Sequence, residues 1–165
     1  MKSTTLKMTF RQAALPSDRS AVRGIAESTG YFSGAEIAIA VELVDEWLSK
    51  GEESGYHFLF AESEDDVVGF CCFGPIPATL SSFDLYWIIV RFDFQGQGAG
   101  RKLLAMCESI LQAAGGHRIY VETSARNQYE PTRRFYEAQG YRQTAFLPDF
   151  YAPGDAKIIY VKVMD

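Results

Sequence analysis

The segment VRFDFQGQGAGRKLL, from Val90 to Leu104, joins a strand-like apolar run to a helix-like one through Gly96, Gly98 and Gly100. A strand followed by a tight turn and a helix requires a fold that contains both element types. Glycine removes the Cβ atoms that would keep a ligand away from the backbone, and N–H groups at a helix start attract phosphate oxygens. The segment therefore predicts either an anion cradle or a tight turn that binds nothing.

The spacing of the glycines discriminates between the known phosphate motifs. A P-loop needs a hydroxyl side chain after its lysine, but Lys102 is followed by Leu103. A dinucleotide fingerprint needs its third glycine where Arg101 stands, and arginine is too large for close helix–strand packing. Glu122, which ends a later apolar run, is nevertheless placed where a ribose-binding acid would be expected.

A third pattern fits the spacing directly. Gln95, Gly98 and Gly100 satisfy Q-x-x-G-x-G, the pyrophosphate loop of acyl-CoA-dependent acetyltransferases. A structural turn without a ligand also fits, so the rest of the chain has to decide between these alternatives.

Periodicity and turn residues predict seven strands and four helices. The expected strands are Met8 to Ala13, Tyr56 to Glu62, Val67 to Gly74, Phe83 to Val90, His117 to Thr123, Tyr141 to Leu147 and Ala156 to Val163. The expected helices are one opened by Pro16-Ser17-Asp18 and stopped near Gly30, Ala35 to Lys50, Leu103 to Ala114, and Pro131 to Gln139. The order β-α-α-β-β-β-α-β-α-β-β predicts a mixed α/β (α+β) fold with a mostly antiparallel central sheet. It disfavours the dinucleotide interpretation, which needs βαβαβ halves after the glycines.

Two local features complete the expected fold. The turn from Ser63 to Asp66 should close a hairpin. The run from Phe83 to Val90 is nearly all apolar or aromatic and should be central in the sheet and covered on both faces.

Composition restricts the class of protein. At 165 residues with 47% hydrophobic content, one domain over residues 1–165 is expected. The net charge of -5 and the scattered basic residues argue against a nucleic-acid partner. No apolar leader opens MKSTTLKMTFRQ and no run could span a bilayer, so a cytoplasmic location without a membrane partner is expected. The three cysteines suit buried thiols, and two distant histidines make a metal site unexpected.

The chain from Met8 onward resembles the GCN5-related N-acetyltransferase (GNAT) superfamily. V-x-x-x-x-Q-G-x-G-x-G and the segment FYEAQGY, Phe135 to Tyr141, are similar to two motifs of that family. Phe92 departs from the pattern, since many members have proline there. The resemblance implies a GNAT-like fold and acetyl-CoA as cosubstrate without a metal. The residues that it implies for acetyl-CoA binding are Ile89, Val90, Gln95, Gly96, Gln97, Gly98, Ala99, Gly100, Arg101 and Asn127.

The resemblance also implies catalytic roles. Tyr136 matches the tyrosine that protonates departing coenzyme A, although a core aromatic would fit the same pattern. Glu122 and Asn127 are arranged as in the ribosomal-protein N-terminal acetyltransferases, which makes Glu122 the candidate base; Asp84 is an alternative carboxylate. Asn127 and Tyr136 are two residues further apart than usual.

An aromatic segment near the end of the chain is the expected acceptor site. In the resembling enzymes aromatic residues bind the acceptor near the loop PDFYAPGD, in which Phe150 and Tyr151 are flanked by Asp149 and Asp155. Carboxylates and aromatic faces both attract an ammonium group, although a hairpin turn needs no ligand. The candidate acceptor-binding residues are Asp84, Tyr86, Phe150 and Tyr151.

The expected function follows from these assignments. The chain should transfer acetyl from acetyl-CoA to a primary amine, first a small amine or an amino acid such as D-alanine and second a peptide N-terminus. A non-catalytic acyl-CoA-binding module is the alternative from another class, and a nicotinamide oxidoreductase is a distant third. A homodimer is compatible with the resemblance.

Overall fold

The computed structural model describes residues 7–165. Within them the chain forms seven strands: β1 (Thr9–Arg11), β2 (His57–Ser63), β3 (Asp66–Pro75), β4 (Ser82–Val90), β5 (Arg118–Ser124), β6 (Arg142–Ala152) and β7 (Asp155–Val163). Its four α-helices in the same range are α1 (Asp18–Thr29), α2 (Gly34–Lys50), α3 (Ala99–Ala113) and α4 (Glu130–Ala138). The order of elements predicted from the sequence is confirmed.

The strands form one sheet in the order β1-β2-β3-β4-β5-β7-β6. The pairs β1–β2, β2–β3, β5–β7 and β6–β7 are antiparallel, whereas β4 and β5 are parallel. Parallel neighbours need a long crossover, and the glycine turn with α3 supplies it. The prediction of a mixed, mostly antiparallel sheet with β4 at its centre is confirmed.

The chain divides into two compact units, which are described separately. The first contains the residues up to Gly74 together with Trp87–Cys107, and the second contains Pro75–Tyr86 together with Glu108–Asp165. The single domain expected over residues 1–165 stays a prediction.

The first unit has an apolar core between its helices and its sheet. α1 and α2 contribute side chains at three- and four-residue steps, as one face of a helix requires. These side chains pack with alternate residues of β2 and β3. The fully buried members include Val22, Ile25, Val44, Phe60 and Phe70.

The three cysteines are free thiols in the interior, as predicted. Burial raises the pKa of Cys71 and of Cys72. A thiol is a poor nucleophile when its thiolate is disfavoured, so these side chains contribute to packing rather than to chemistry.

The sheet of the second unit has one buried face and one open face. Ile119, Val121 and Tyr160 are almost fully buried, and the ring of Tyr136 on α4 lies 6.2 Å from that of Tyr160. The strand registers place the alternate residues on the opposite side, which we call the open face. Its members, half-buried or exposed, include Asp84, Tyr86, Tyr120, Glu122, Lys157 and Ile159.

The largest difference from the sequence prediction lies in the segment PDFYAPGD, which is not a loop. β6 continues to Ala152, and only Pro153 and Gly154 form the turn to β7. Leu147 pairs with Lys157 and Ala152 pairs with Asp155, so four residues of β6 face one residue of β7 in a bulge. The sequence prediction failed here because proline and glycine signal a break, whereas strand pairing tolerates a bulge.

Two further strand predictions were wrong in detail. β1 is only three residues long, because after Arg11 the chain turns towards α1 and the Arg11 guanidinium binds both Ala13 O and Asp18. β4 is not covered on both faces: Leu85 and Ile89 are buried, but Tyr86 is 40% exposed. β4 is therefore apolar along most of its length although one of its two faces is open.

Candidate functional site

The glycine turn of the first unit has the backbone shape of an anion cradle. Gly96 and Gly98 have φ angles of 74° and 84°, which residues with a side chain rarely adopt. The positions where their Cβ atoms would lie have no other atom within 4 Å. Residues 95–98 are exposed, and Ala99, the first residue of α3, is 2% exposed. The turn therefore presents bare backbone to solvent at the start of a helix.

Backbone donors at this helix start are available to a ligand. The N–H of Lys102 donates to Gly98 O at 3.1 Å, so the N–H groups of Ala99, Gly100 and Arg101 precede the first bond within the helix. Arg101 and Lys102 add positive charge at the positive end of the helix dipole. Positive side chains at the positive end of a helix dipole are repelled by it, and a bound anion offsets this repulsion.

Side chains of the segment brace the turn instead of facing a ligand. Gln95 Nε2 donates to Val90 O at 3.0 Å, and Gln97 Nε2 donates to Asp93 O at 3.0 Å. Ile89 is 5% exposed and belongs to the core of the first unit. Of the predicted cofactor residues, Ile89, Gln95 and Gln97 thus support the shape of the turn, which leaves its backbone N–H groups and the Arg101 side chain for contact with a phosphate.

Tyr136 is buried in the second unit. The residue is 5% exposed on α4, which has a proline in its first turn as predicted. The centre of its ring lies 5.5 Å from the ring centre of Phe135, 5.6 Å from that of Tyr141 and 6.2 Å from that of Tyr160. The aromatic packing fits both a core role and a phenol held in one orientation. Asn127, another predicted residue of this unit, is exposed in a short 3-10 turn.

On the open face Glu122 forms an ion pair that the sequence analysis did not foresee. Lys157 Nζ donates to Glu122 Oε2 at 2.7 Å and lies 4.2 Å from the centre of the Phe150 ring. The side chain of Lys157 is 12% exposed, whereas that of Glu122 is 49% exposed. A largely buried lysine side chain therefore holds its ammonium group beside a carboxylate and an aromatic face.

Asp84 lies on the same open face, on the neighbouring strand β4. Partial burial raises the pKa of its carboxyl group, the negative charge of Glu122 raises it further, and Lys157 opposes both effects. A carboxylate with a raised pKa is a better proton acceptor near neutral pH. Tyr86, two residues further along β4, is 40% exposed on the same face.

The bulge of β6 exposes the two predicted aromatic residues. Phe150 is 53% and Tyr151 is 48% exposed, and their rings meet edge to face at 5.1 Å. Both flanking carboxylates serve the local structure: Asp149 Oδ1 accepts from Gly154 N at 2.7 Å, and Asp155 Oδ1 accepts from Ser124 Oγ at 2.5 Å. These two carboxylates therefore already have partners within the protein, and their attraction of an ammonium group stays a prediction.

The structure thus brings together Asp84, Glu122 and Phe150, and it adds Lys157, which sequence reasoning missed. Its position in the sequence could have indicated a role, because Lys157 is a charged residue at the start of the apolar strand KIIYV and close to the aromatic segment. The other partners in this cluster come from β4 and β5. Only strand pairing reveals that arrangement.

Two general observations bear on the class of site. None of the helices in residues 7–165 combines the length and apolarity needed to cross a bilayer. In that same range no group of three or more His, Cys, Asp and Glu side chains is placed to hold one metal ion. The leader prediction falls partly on residues 1–6, which lie outside the described residues.

Comparison with known proteins reveals similar sequences and structures. A sequence model described as the acetyltransferase (GNAT) family matches residues 25–141. The uncharacterized N-acetyltransferase YuaI of Bacillus subtilis (strain 168) is 32% identical over 106 residues, which span 63% of this chain and 58% of YuaI.

Solved structures extend the similarity to the whole fold. A protein of Desulfovibrio desulfuricans assigned to the GNAT family is 46% identical with a TM-score of 0.91, over 95% of this chain and 99% of that one. The ribosomal-protein-S18-alanine N-acetyltransferase of Escherichia coli has the same fold, with 20% identity and a TM-score of 0.76 over 96% and 95% of the two chains. The family model covers most of the chain and includes the glycine turn and the segment around Tyr136. The protein therefore belongs to the acetyltransferase (GNAT) family.

Proposed function

We propose that the protein is an acetyl-CoA-dependent N-acetyltransferase that transfers acetyl directly to a primary amine. The observation that carries the proposal is the glycine turn, where positive φ angles at Gly96 and Gly98 leave bare N–H groups at the start of α3. Pyrophosphate oxygens of acetyl-CoA suit these donors, and Arg101 adds a charge-assisted contact. Membership of the GNAT family supports the same cosubstrate.

The proposed reaction combines acyl transfer with proton transfers at the amine nitrogen and at the sulfur. A carboxylate on the open face accepts a proton from the acceptor ammonium, and the neutral nitrogen attacks the thioester carbonyl carbon. The carbon–sulfur bond breaks as the new amide bond forms. Tyr136 then gives its hydroxyl proton to the coenzyme A thiolate, and the new amide nitrogen loses its second proton to water. The protonated carboxyl group releases its proton to water and the tyrosinate takes one back, so the reaction releases one proton overall. Glu122 and Asp84 are the two candidate bases.

The acceptor is expected to be a small amine or an amino acid, with D-alanine as an example. Support comes from the open face, which carries the carboxylates of Asp84 and Glu122. The exposed ring of Phe150 lies 4.2 Å from the Lys157 ammonium that pairs with Glu122. Opposite charge and an aromatic surface both favour an ammonium group. A peptide N-terminus has the same reactive group and forms the second arm of the test.

A thiol-release screen with acetyl-CoA tests the proposal. Small amines, amino acids of both configurations, polyamines, aminoglycosides and short peptides would each be offered, and free coenzyme A would be measured. We expect release that depends on one acceptor class and that falls in Tyr136→Phe. If calorimetry detects acetyl-CoA binding but no class releases thiol above the rate in water, the non-catalytic alternative is supported instead.

A further inference from the structure

We propose that Lys157 is a positioning residue that holds Glu122 as a fixed carboxylate and thereby leaves Asp84 to take the proton from the acceptor ammonium. The inference rests on the proposed function. It deepens that function by assigning separate tasks to Asp84 and Glu122, two acidic residues of the open face.

The contacts of Lys157 restrict both itself and Glu122. The ammonium is 2.7 Å from Glu122 Oε2 and 4.2 Å from the centre of the Phe150 ring, with only 12% of the side chain exposed. A lysine with this much contact keeps one orientation. Glu122 Oε2 already accepts a charge-assisted hydrogen bond, so the contact occupies this oxygen and holds the carboxylate in place.

Two more carboxylates lie on the same face, those of Asp84 and Asp155. Asp155 already binds Ser124 and Arg126, so Asp84 is the proposed proton acceptor. β4 and β5 are parallel neighbours, and Asp84 lies opposite Tyr120. β5 and β7 are antiparallel neighbours, and Ser124 lies opposite Lys157. Glu122 therefore lies on the strand between those that carry Asp84 and Lys157. The lysine pairs with Glu122 rather than with Asp84, so Asp84 keeps its oxygens for a ligand.

The charged and titratable groups around Asp84 determine its response to pH. On the same face, β5 contributes Arg118, Tyr120 and Glu122, β7 contributes Asp155 and Lys157, and β4 itself contributes Tyr86. The charge of Glu122 raises the pKa of Asp84, and the charge of Lys157 lowers it. Changes at these two positions should therefore displace the titration of Asp84 in opposite directions.

The test compares pH profiles of kcat/KM for one amine acceptor. In Lys157→Met the acidic limb should move to higher pH, because a charge that favours ionised Asp84 is lost. At pH values well below the midpoint of the limb, a displacement of half to one pH unit would lower kcat/KM by about three- to tenfold. Lys157→Arg should return the acidic limb to its wild-type position. Glu122→Gln should move the limb to lower pH, and Asp84→Asn should abolish it.

A matched control is available on the same strand. Lys162 forms an ion pair of the same length with Glu108, at 2.7 Å, but on the buried face of the sheet. Lys162→Met should leave the position of the limb unchanged. A profile of Lys157→Met that coincides with that of the wild type, or an intact limb in Asp84→Asn, would overturn the assignment.

A second measurement separates this inference from the proposed function. Carboxyl ¹³C NMR follows the titration of Asp84 in the free enzyme, without any acceptor. We expect Lys157→Met to raise that pKa and Glu122→Gln to lower it, even if the acceptor screen finds no substrate. An Asp84 titration that neither change moves would contradict the coupling, whatever the enzymatic result.

Discussion

At the scale of single residues, Asp84 combines a chemical advantage with a cost in stability. The pKa of its carboxyl is raised, first by burial and then by Glu122. A carboxyl whose pKa is higher in the folded than in the unfolded chain contributes stability at low pH. That contribution is lost as the pH rises through the folded pKa.

We therefore expect Asp84→Asn to raise the melting temperature at pH 7, because the amide has no charge to desolvate. Near pH 3 both side chains are neutral and the difference should vanish. Thermal unfolding of the two proteins across this range is the measurement. A variant that is less stable than the wild type at pH 7 would contradict the direction of the shift.

Tyr136 offers a second test at this scale. Phenylalanine keeps the ring contacts with Tyr141 and Tyr160 and removes only the hydroxyl. If the phenol donates the proton to coenzyme A, Tyr136→Phe should lower kcat by about 10- to 10⁴-fold with little change in acetyl-CoA affinity. Steady-state kinetics and calorimetry would check both parts. An unchanged kcat would assign the residue to packing alone.

At the scale of elements, the glycine turn depends on backbone shape rather than on side chains. Gly98 has a φ angle of 84°, and its missing Cβ leaves open space above the first turn of α3. Gly115, at the other end of that helix, has the same φ angle and equally open surroundings. The two glycines differ mainly in their distance along the chain from the proposed cradle.

We expect Gly98→Val and Gly115→Val to lose similar stability, because each forces a branched residue into the left-handed region at a cost of about 1–2 kcal/mol or more. Only Gly98→Val should also weaken acetyl-CoA binding, by at least about tenfold, since its side chain fills the cradle. Denaturant unfolding and calorimetry give the two quantities. Equal affinity in both variants would return the turn to a purely structural role.

At the scale of the whole molecule, ligand binding should appear as added stability. A ligand that binds only the folded chain stabilises it by about 2.7 kcal/mol at a hundred times its Kd. We expect acetyl-CoA to raise the melting temperature in a concentration-dependent way and NADH to leave it unchanged. A shift with NADH alone would favour the oxidoreductase alternative over the acetyltransferase.

The sequence by itself determined the order of the elements, the strand–turn–helix position of the glycines and the fold class. These features depend on local periodicity, on turn residues and on the backbone freedom of glycine. The segment around Tyr136 was likewise predictable as a short helix begun by proline and stopped near Gly140. Local chemistry marks such features in the sequence, although packing is needed to stabilise a helix as short as this one.

Only the tertiary structure decided which charged residues share the open face. Asp84, Glu122 and Lys157 lie on three different strands, and their meeting depends on strand order and register, which no local pattern contains. The same holds for the bulge of β6: the segment PDFYAPGD looks like a loop because proline and glycine break strands. Pairing with β7 keeps it in the sheet and exposes Phe150 beside Lys157, because long-range pairing outweighs the local preference for a turn.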